Sequence, residues 1–385
     1  MKAFNLETDV FVADEKKLRA HPDFTPLRTK AVGCNMRPNV CGRWKGEGRG
    51  GRSLALAAHI DHLQVGDRSL WSVDPFAAAI RGHNMIGRGV ANDKGGVAIM
   101  LSAVNILKKM DVRLKGDLFA ISSLGGRDYS EGDSCGLFAC AQRGYRADAA
   151  IYLHPHEGQA GLSKIVLSSV GATTFALKVK GERPPLFFED WKGVNAITKA
   201  IQLLNDFGKA CAQENLKLNL GLINGGGRWQ QGGIGRGGPI LTPESCLIEC
   251  RISFDHRHRL GDVRRWVTET VHRLSSDDPW LRRNPPEIEF KHFQCDSSAV
   301  DAHHPIVSVV SGAISSITGR KPGFEDSESP SDIRFLTRYA STPTIKYGPL
   351  GGGGDQPDEW IDTRQYLDAI KATCLSIVNW CGLRE

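Results

Sequence analysis

Ser53-Leu54-Ala55-Leu56-Ala57-Ala58-His59-Ile60-Asp61 is the stretch on which the reading of this chain turns. SLALAA shows no polar alternation, which fits a strand buried on both faces, and the run stops at His59. Residues two apart on a strand share a face, so His59 and Asp61 can touch. A carboxylate beside an imidazole fixes its tautomer and strengthens it as a metal ligand. Alone, this H-x-D pair reads first as a satisfied structural contact.

Outward from that run, strands and helices alternate. Val97, Met100, Leu101, Val104 and Leu107 fall on one helix face, Leu118–Ser122 is strand-like, and Ala149–Leu153 is another buried run, ending at His154. This predicts a mostly parallel sheet covered by helices, with ligands at the carboxyl ends of its strands. His59 and His154 both stand at such ends.

The texture changes near residue 170. Strand patterns at Thr173–Val179, Leu216–Leu222, Cys246–Phe254 and Glu287–Lys291 accompany helix faces at Val194–Leu204 and Val263–Leu274. A smaller α+β lid of four strands and two helices is expected over residues 168–292. Residues 1–167 and 293–385 then form the two parts of one α/β catalytic domain. Helices are expected at His303–Thr318 and Gln365–Val378, with a strand at Pro343–Tyr347. Within the lid, Gly225–Gly238 reads as a glycine-rich hairpin connection or as a mobile flap carrying Arg228, Trp229 and Arg236.

Composition bounds the function. The chain has 385 residues, 41% of them hydrophobic and 24% charged, enough for packed domains. No run of about eighteen apolar residues occurs, so no membrane-spanning helix is expected. The first residues lack a signal-peptide apolar core, which makes the cytoplasm the expected compartment. The ten cysteines form no C-x-x-C, and reduced thiols are expected. A net charge of +6 without a Lys/Arg block argues against nucleic acid and fits a small substrate bearing a carboxylate.

His59-Ile60-Asp61 is followed by Trp71, Asp74-Pro75-Phe76 and Gly87-Arg88-Gly89-Val90-Ala91-Asn92-Asp93-Lys94-Gly95. Next come Arg143–Asp148, His154-Pro155, Ser331-Asp332-Ile333-Arg334, Tyr347-Gly348-Pro349 and Asp358-Glu359. This order, from about Arg37 onward, resembles the zinc aminohydrolase superfamily of acetylornithine deacetylase, aminoacylase, carboxypeptidase G and related dipeptidases. The resemblance implies a catalytic α/β domain interrupted by a lid that often makes a homodimer or higher oligomer. It also implies a metal-dependent hydrolase of amide or other C–N bonds.

Carried over residue by residue, the resemblance gives an altered metal site. His59 is kept, and the bridging aspartate is Asn92, a neutral amide that does little to offset the repulsion of two divalent cations. Glu131 matches a glutamate ligand, while Ser130 stands where the family has its general base; Asp128 and Asp133 are alternatives. His154 replaces a carboxylate ligand, and Asp355 replaces the last histidine. The lid histidine corresponds to Pro185. Asp61 and Glu131 are the expected catalytic carboxylates, Asp93 is a further proton acceptor, and Arg257 and Arg334 are the expected substrate-binding residues.

Two imidazoles with one or two carboxylates suffice for a single open site holding zinc or manganese, so one ion per chain is expected. The competing readings are a two-metal N-acyl-amino-acid deacylase or dipeptidase, an aromatic amine aminohydrolase of the nitroanthranilate type, and a non-catalytic homologue acting as a binding protein.

Overall fold

Leu54–His59 is a strand with every residue buried, and it lies in the middle of a nine-stranded sheet. The computed structural model describes residues 1–19, 37–124, 135–158, 160–183, 193–226 and 242–384. These fall into two compact units, Met1–Ser169 with Ser298–Glu385, and Val170–Ser297.

In the first unit the strands Leu118–Ser123, Leu54–His59, Ala149–Leu153 and Thr344–Tyr347 run parallel in that spatial order. Antiparallel strands flank them, with Glu7–Val12 and Pro38–Trp44 on one side and Lys164–Ser169 on the other. The sheet is therefore parallel at its centre and mixed at its margins. The helix Gly95–Lys109 buries Val97, Met100, Val104 and Leu107, the face that the sequence period marks. Pro305–Thr318 and Thr363–Cys381 share the same core, in which Ile99, Val310, Tyr347 and Ile377 are buried. On the other face Ala55, Ala57 and Tyr152 pack with Phe138, Phe335 and Leu336.

The second unit has a four-stranded antiparallel sheet in the order Lys217–Gly226, Ser245–Phe254, Gly171–Lys180, Glu287–Cys295. Two long helices complete it. Asn195 caps Ala196–Gln213 by accepting the N–H groups of Ile197 and Thr198, and Ala196, Ala200, Leu203 and Phe207 face the core. Leu260–Ser276 buries Val263, Val267 and Val271 against the same core. Residues 227–241, which include Arg228, Trp229 and Arg236, lie outside the described residues.

Among the described residues no helix is long and apolar enough to cross a membrane. Eight of the described cysteines are free thiols. The expectation of reduced thiols fails at Cys135, which is disulfide-bonded.

Candidate metal centre

The parallel register of the central strands places the first two functional side chains. Leu54 pairs with Ala149 and Ala57 with Tyr152. Two positions further on, the same register sets His59 beside His154, with ring centroids 6.1 Å apart. A third segment, Gly87–Lys94, meets them. Gly89 has φ 80°, a conformation that glycine adopts without steric cost, and an irregular turn follows in which Asn92 leaves helical geometry at φ −137°, ψ 84°. The Asn92–Asp93 peptide bond is cis. Gly96 then starts the helix hard against the neighbouring strand: a Cβ there would lie 1.8 Å from the Leu153 carbonyl oxygen.

This packing brings one amide oxygen between two imidazoles. Asn92 Oδ1 lies 2.8 Å from His59 Nε2 and 3.2 Å from His154 Nε2. The other ring nitrogens also face oxygens. His59 Nδ1 is 3.1 Å from the Asp61 carbonyl and 3.3 Å from its carboxylate, and His154 Nδ1 is 2.7 Å from the Pro155 carbonyl. A neutral imidazole has one N–H and one lone pair. Each ring here must carry a positive charge or set its lone pair against an oxygen. With the Asn92 oxygen turned inward this arrangement calls for extra positive charge, as protons or as a cation.

Burial pulls the His59 pKa down. The hydrogen bond to Asp61, with the charges of Asp93, Asp61 and Asp332, outweighs it and raises the ring to about 9. Burial pushes the Asp61 carboxyl up, but His59 and Arg37 hold it at about 2. Asp61 Oδ2 is 3.6 Å from Arg37. Asp93 is fully buried, and desolvation pushes it up to about 8 against the charge of His59 and the amides of His59 and Gly96.

Two buried polar atoms lack hydrogen-bond partners here: Asp93 Oδ1 and Asn92 Nδ2. His59, Asp93 and His154 each offer a ligand atom within 4.8 Å of the others, and among the described residues they form the group able to hold a metal ion. Nitrogen from two histidines with carboxylate and amide oxygen suits a divalent transition metal. The residues present fit the cation that the sequence implies.

A cavity of about 740 Å³ opens beside these side chains. His59, Asn92, His154, Lys346 and the segment Glu325–Asp332 line it. His156, also on its wall, is paired with Glu325. Asp326 accepts the Ser168 hydroxyl at 2.6 Å.

The other expected site residues are placed differently. Asp355 is not in the His59–Asp93–His154 group and does not line the cavity; it sits with φ 67° on the turn before Glu359. Arg334 is buried over the Phe335 ring, donating to the Ser331 carbonyl at 3.0 Å, with Asp332 3.9 Å away. Arg257, in the second unit, donates through Nε to Asp255 at 2.9 Å and is exposed. Glu131, Ser130, Asp128, Asp133 and Pro185 lie outside the described residues. Sequence reasoning gave Asp93 a secondary place and gave Glu359 and Lys346 no role. The signals were present: a second carboxylate adjoining Asn92, and an acidic residue closing the motif series.

Residues 55–379 match the sequence profile of peptidase family M20/M25/M40. The chain belongs to this family. Among relatives of the M20/M25/M40 chain is N-formyl-4-amino-5-aminomethyl-2-methylpyrimidine deformylase of Bacillus subtilis, 26% identical over 90% of this chain and 84% of that protein. Succinyl-diaminopimelate desuccinylase of Gluconobacter oxydans is 24% identical over 86% of this chain and 83% of its own. The fold is also that of aminopeptidase PepT from Bacillus cereus, with TM-score 0.72 and 16% identity over 98% and 90% of the two chains. As a member of M20/M25/M40, the chain is a hydrolase of amide or other C–N bonds, and the family implies a divalent metal.

Proposed function

We propose that this chain uses one divalent cation, zinc or manganese, to hydrolyse an amide or other C–N bond in a small carboxylate-bearing molecule. The observation that carries this reading is the facing of all four ring nitrogens of His59 and His154 toward oxygen atoms, with Asn92 Oδ1 shared between them. His59, His154 and Asn92 would hold the cation, with the Asp93 carboxylate beside them and Glu131 as the further ligand. Bound there, it supplies Lewis acidity that acidifies water and polarises a carbonyl.

The chain's own groups set the rest. Asp61 accepts from His59 Nδ1 and the Pro155 carbonyl accepts from His154 Nδ1, which turns both Nε2 lone pairs toward Asn92. Lys346 is the lysine on the cavity wall, and we assign it the substrate carboxylate. Arg257, whose Nε donates to Asp255, is the other candidate for a substrate carboxylate. We assign proton transfer to Asp93, Asp128, Asp133 or the substrate's own carboxylate. Metal analysis of purified protein, with an activity screen on N-acyl amino acids, tests the reading. One ion per chain and turnover of an N-acyl substrate support it; two ions at full occupancy would replace it with the two-metal deacylase or dipeptidase.

One observation favours a second reading, a metal-free binding protein. Half a turn of the Asn92 amide would set its NH₂ group against both Nε2 lone pairs, satisfying two acceptors without a cation. Absence of metal at micromolar concentrations would select it.

We further propose a cytoplasmic homodimer or higher oligomer joined through the second unit. Lys217–Gly226 is paired on one side only among the described residues, and Leu220, Leu222 and Ile223 on it are exposed.

A further inference from the structure

We infer that Glu359 is the positioning residue of this centre: it touches no metal-facing atom, yet its carboxylate sets where Asn92 Oδ1 stands. The inference rests on the cation reading above. Trp360 pairs with Ile86 across an antiparallel bridge, and the Gly87 N–H reaches the Glu359 carbonyl at 2.9 Å. The chain near Glu359 is thereby docked along the entry to the Gly87–Lys94 turn. The side chain then runs under that turn. Oε2 accepts Arg88 Nη1 at 3.0 Å and the Gly89 N–H at 2.9 Å. Oε1 accepts the N–H groups of Ala91 at 3.0 Å and Asn92 at 2.8 Å.

Those four donors use the whole acceptor capacity of an ionised carboxylate, which has about four lone-pair sites. The residue is fully buried and Arg88 is buried beside it, so water offers the turn no substitute. Three of four consecutive turn residues, Gly89, Ala91 and Asn92, thus point their amides at one side chain from a segment 267 to 270 residues away. A purely structural Arg88–Glu359 ion pair needs only one of these bonds. The bond to Asn92's own amide is the one that fixes the atom between the two histidines.

An amide in place of the carboxylate cannot do this. In either orientation of Glu359→Gln, an NH₂ group faces two of the donors, and the turn must shift on that side. The test is a titration of the full-length chain, stripped of metal, with cobalt(II), following the visible absorption bands of the bound ion. Glu359→Gln is expected to bind cobalt on the order of tenfold more weakly, with displaced bands, as for groups that orient metal ligands. Glu359→Asp, which keeps the charge and shortens the reach, should move both in the same direction by less. Asp362→Ala removes another buried carboxylate nearby, the cap of the helix Thr363–Cys381. It should lower thermal stability and leave the cobalt bands in place. If the wild-type chain binds no cobalt, the cation reading fails. If wild type binds and a folded Glu359 variant matches it in affinity and bands, the positioning role is overturned while the cation reading stands. Should Glu359→Gln fail to fold, Glu359→Asp carries the same comparison.

Discussion

His59 and His154 stand at the carboxyl ends of adjacent parallel strands, with their rings tilted by 44°, and share one hydrogen-bonding atom, Asn92 Oδ1. An aspartate in that position would bring a full negative charge to a point already faced by two imidazoles. Asn92→Asp should therefore raise cation affinity and move the stoichiometry from one ion per chain toward two. Elemental analysis of the two proteins after dialysis checks this. An unchanged count of one would show that Asn92 does not limit the number of ions.

Removing the second imidazole addresses the ligand set directly. His154→Ala should abolish metal binding and hydrolysis together and leave the circular dichroism spectrum unchanged, because His154 lies beyond the end of its strand and is not among the core side chains. Full activity in this variant would place the catalytic centre elsewhere.

The Asp255–Arg257 pair gives a pH signature. The Arg257 hydrogen bond lowers the Asp255 carboxyl from its ordinary 3.8 to about 2, against the opposing effect of burial. A carboxyl with a depressed folded pKa adds stability above its unfolded pKa and loses it as pH falls through the folded value. Thermal unfolding followed from pH 5 to pH 1.5 should show this contribution fading between about pH 4 and pH 2 in wild type. In Asp255→Asn that component should be missing.

Phe207 anchors the core of the second unit. It is fully buried, edge-on to Phe175 with ring centroids 6.0 Å apart and close to Trp266 at 5.6 Å. Phe207→Ala should destabilise that unit by about 3–5 kcal/mol. Urea unfolding monitored by tryptophan fluorescence measures the shift. A loss below about 1 kcal/mol would mean that neighbouring side chains collapse into the space.

How far the sequence reveals this arrangement differs from element to element, for physical reasons. Leu54–His59 and Ala149–Leu153 are legible because strands buried on both faces have no polar residues to interrupt them. The helix Gly95–Lys109 is legible because it faces the core along one stripe. Glu7–Val12 is not: it is an edge strand with every residue at least partly exposed, so no apolar run marks it. Motif order singles out His59, Asn92 and His154, which the fold brings together. It gives Asp355 by spacing alone, and spacing does not report that the residue sits on a turn apart from the His59–Asp93–His154 group. Glu359 escapes for another reason. Apart from Arg88 it serves backbone amides, and those leave no trace in the identity of the residues that carry them.

The two imidazoles and the shared amide all belong to the first 154 residues, whereas the carboxylate that holds the turn arrives with Glu359. On a ribosome, where earlier segments fold first, the nascent chain displays both histidines long before their oxygen partner is fixed. On the proposed reading, competence to retain a cation waits until the segment carrying Glu359 has been made. Intermediates released early would present the nitrogen donors without a fixed pocket to use them.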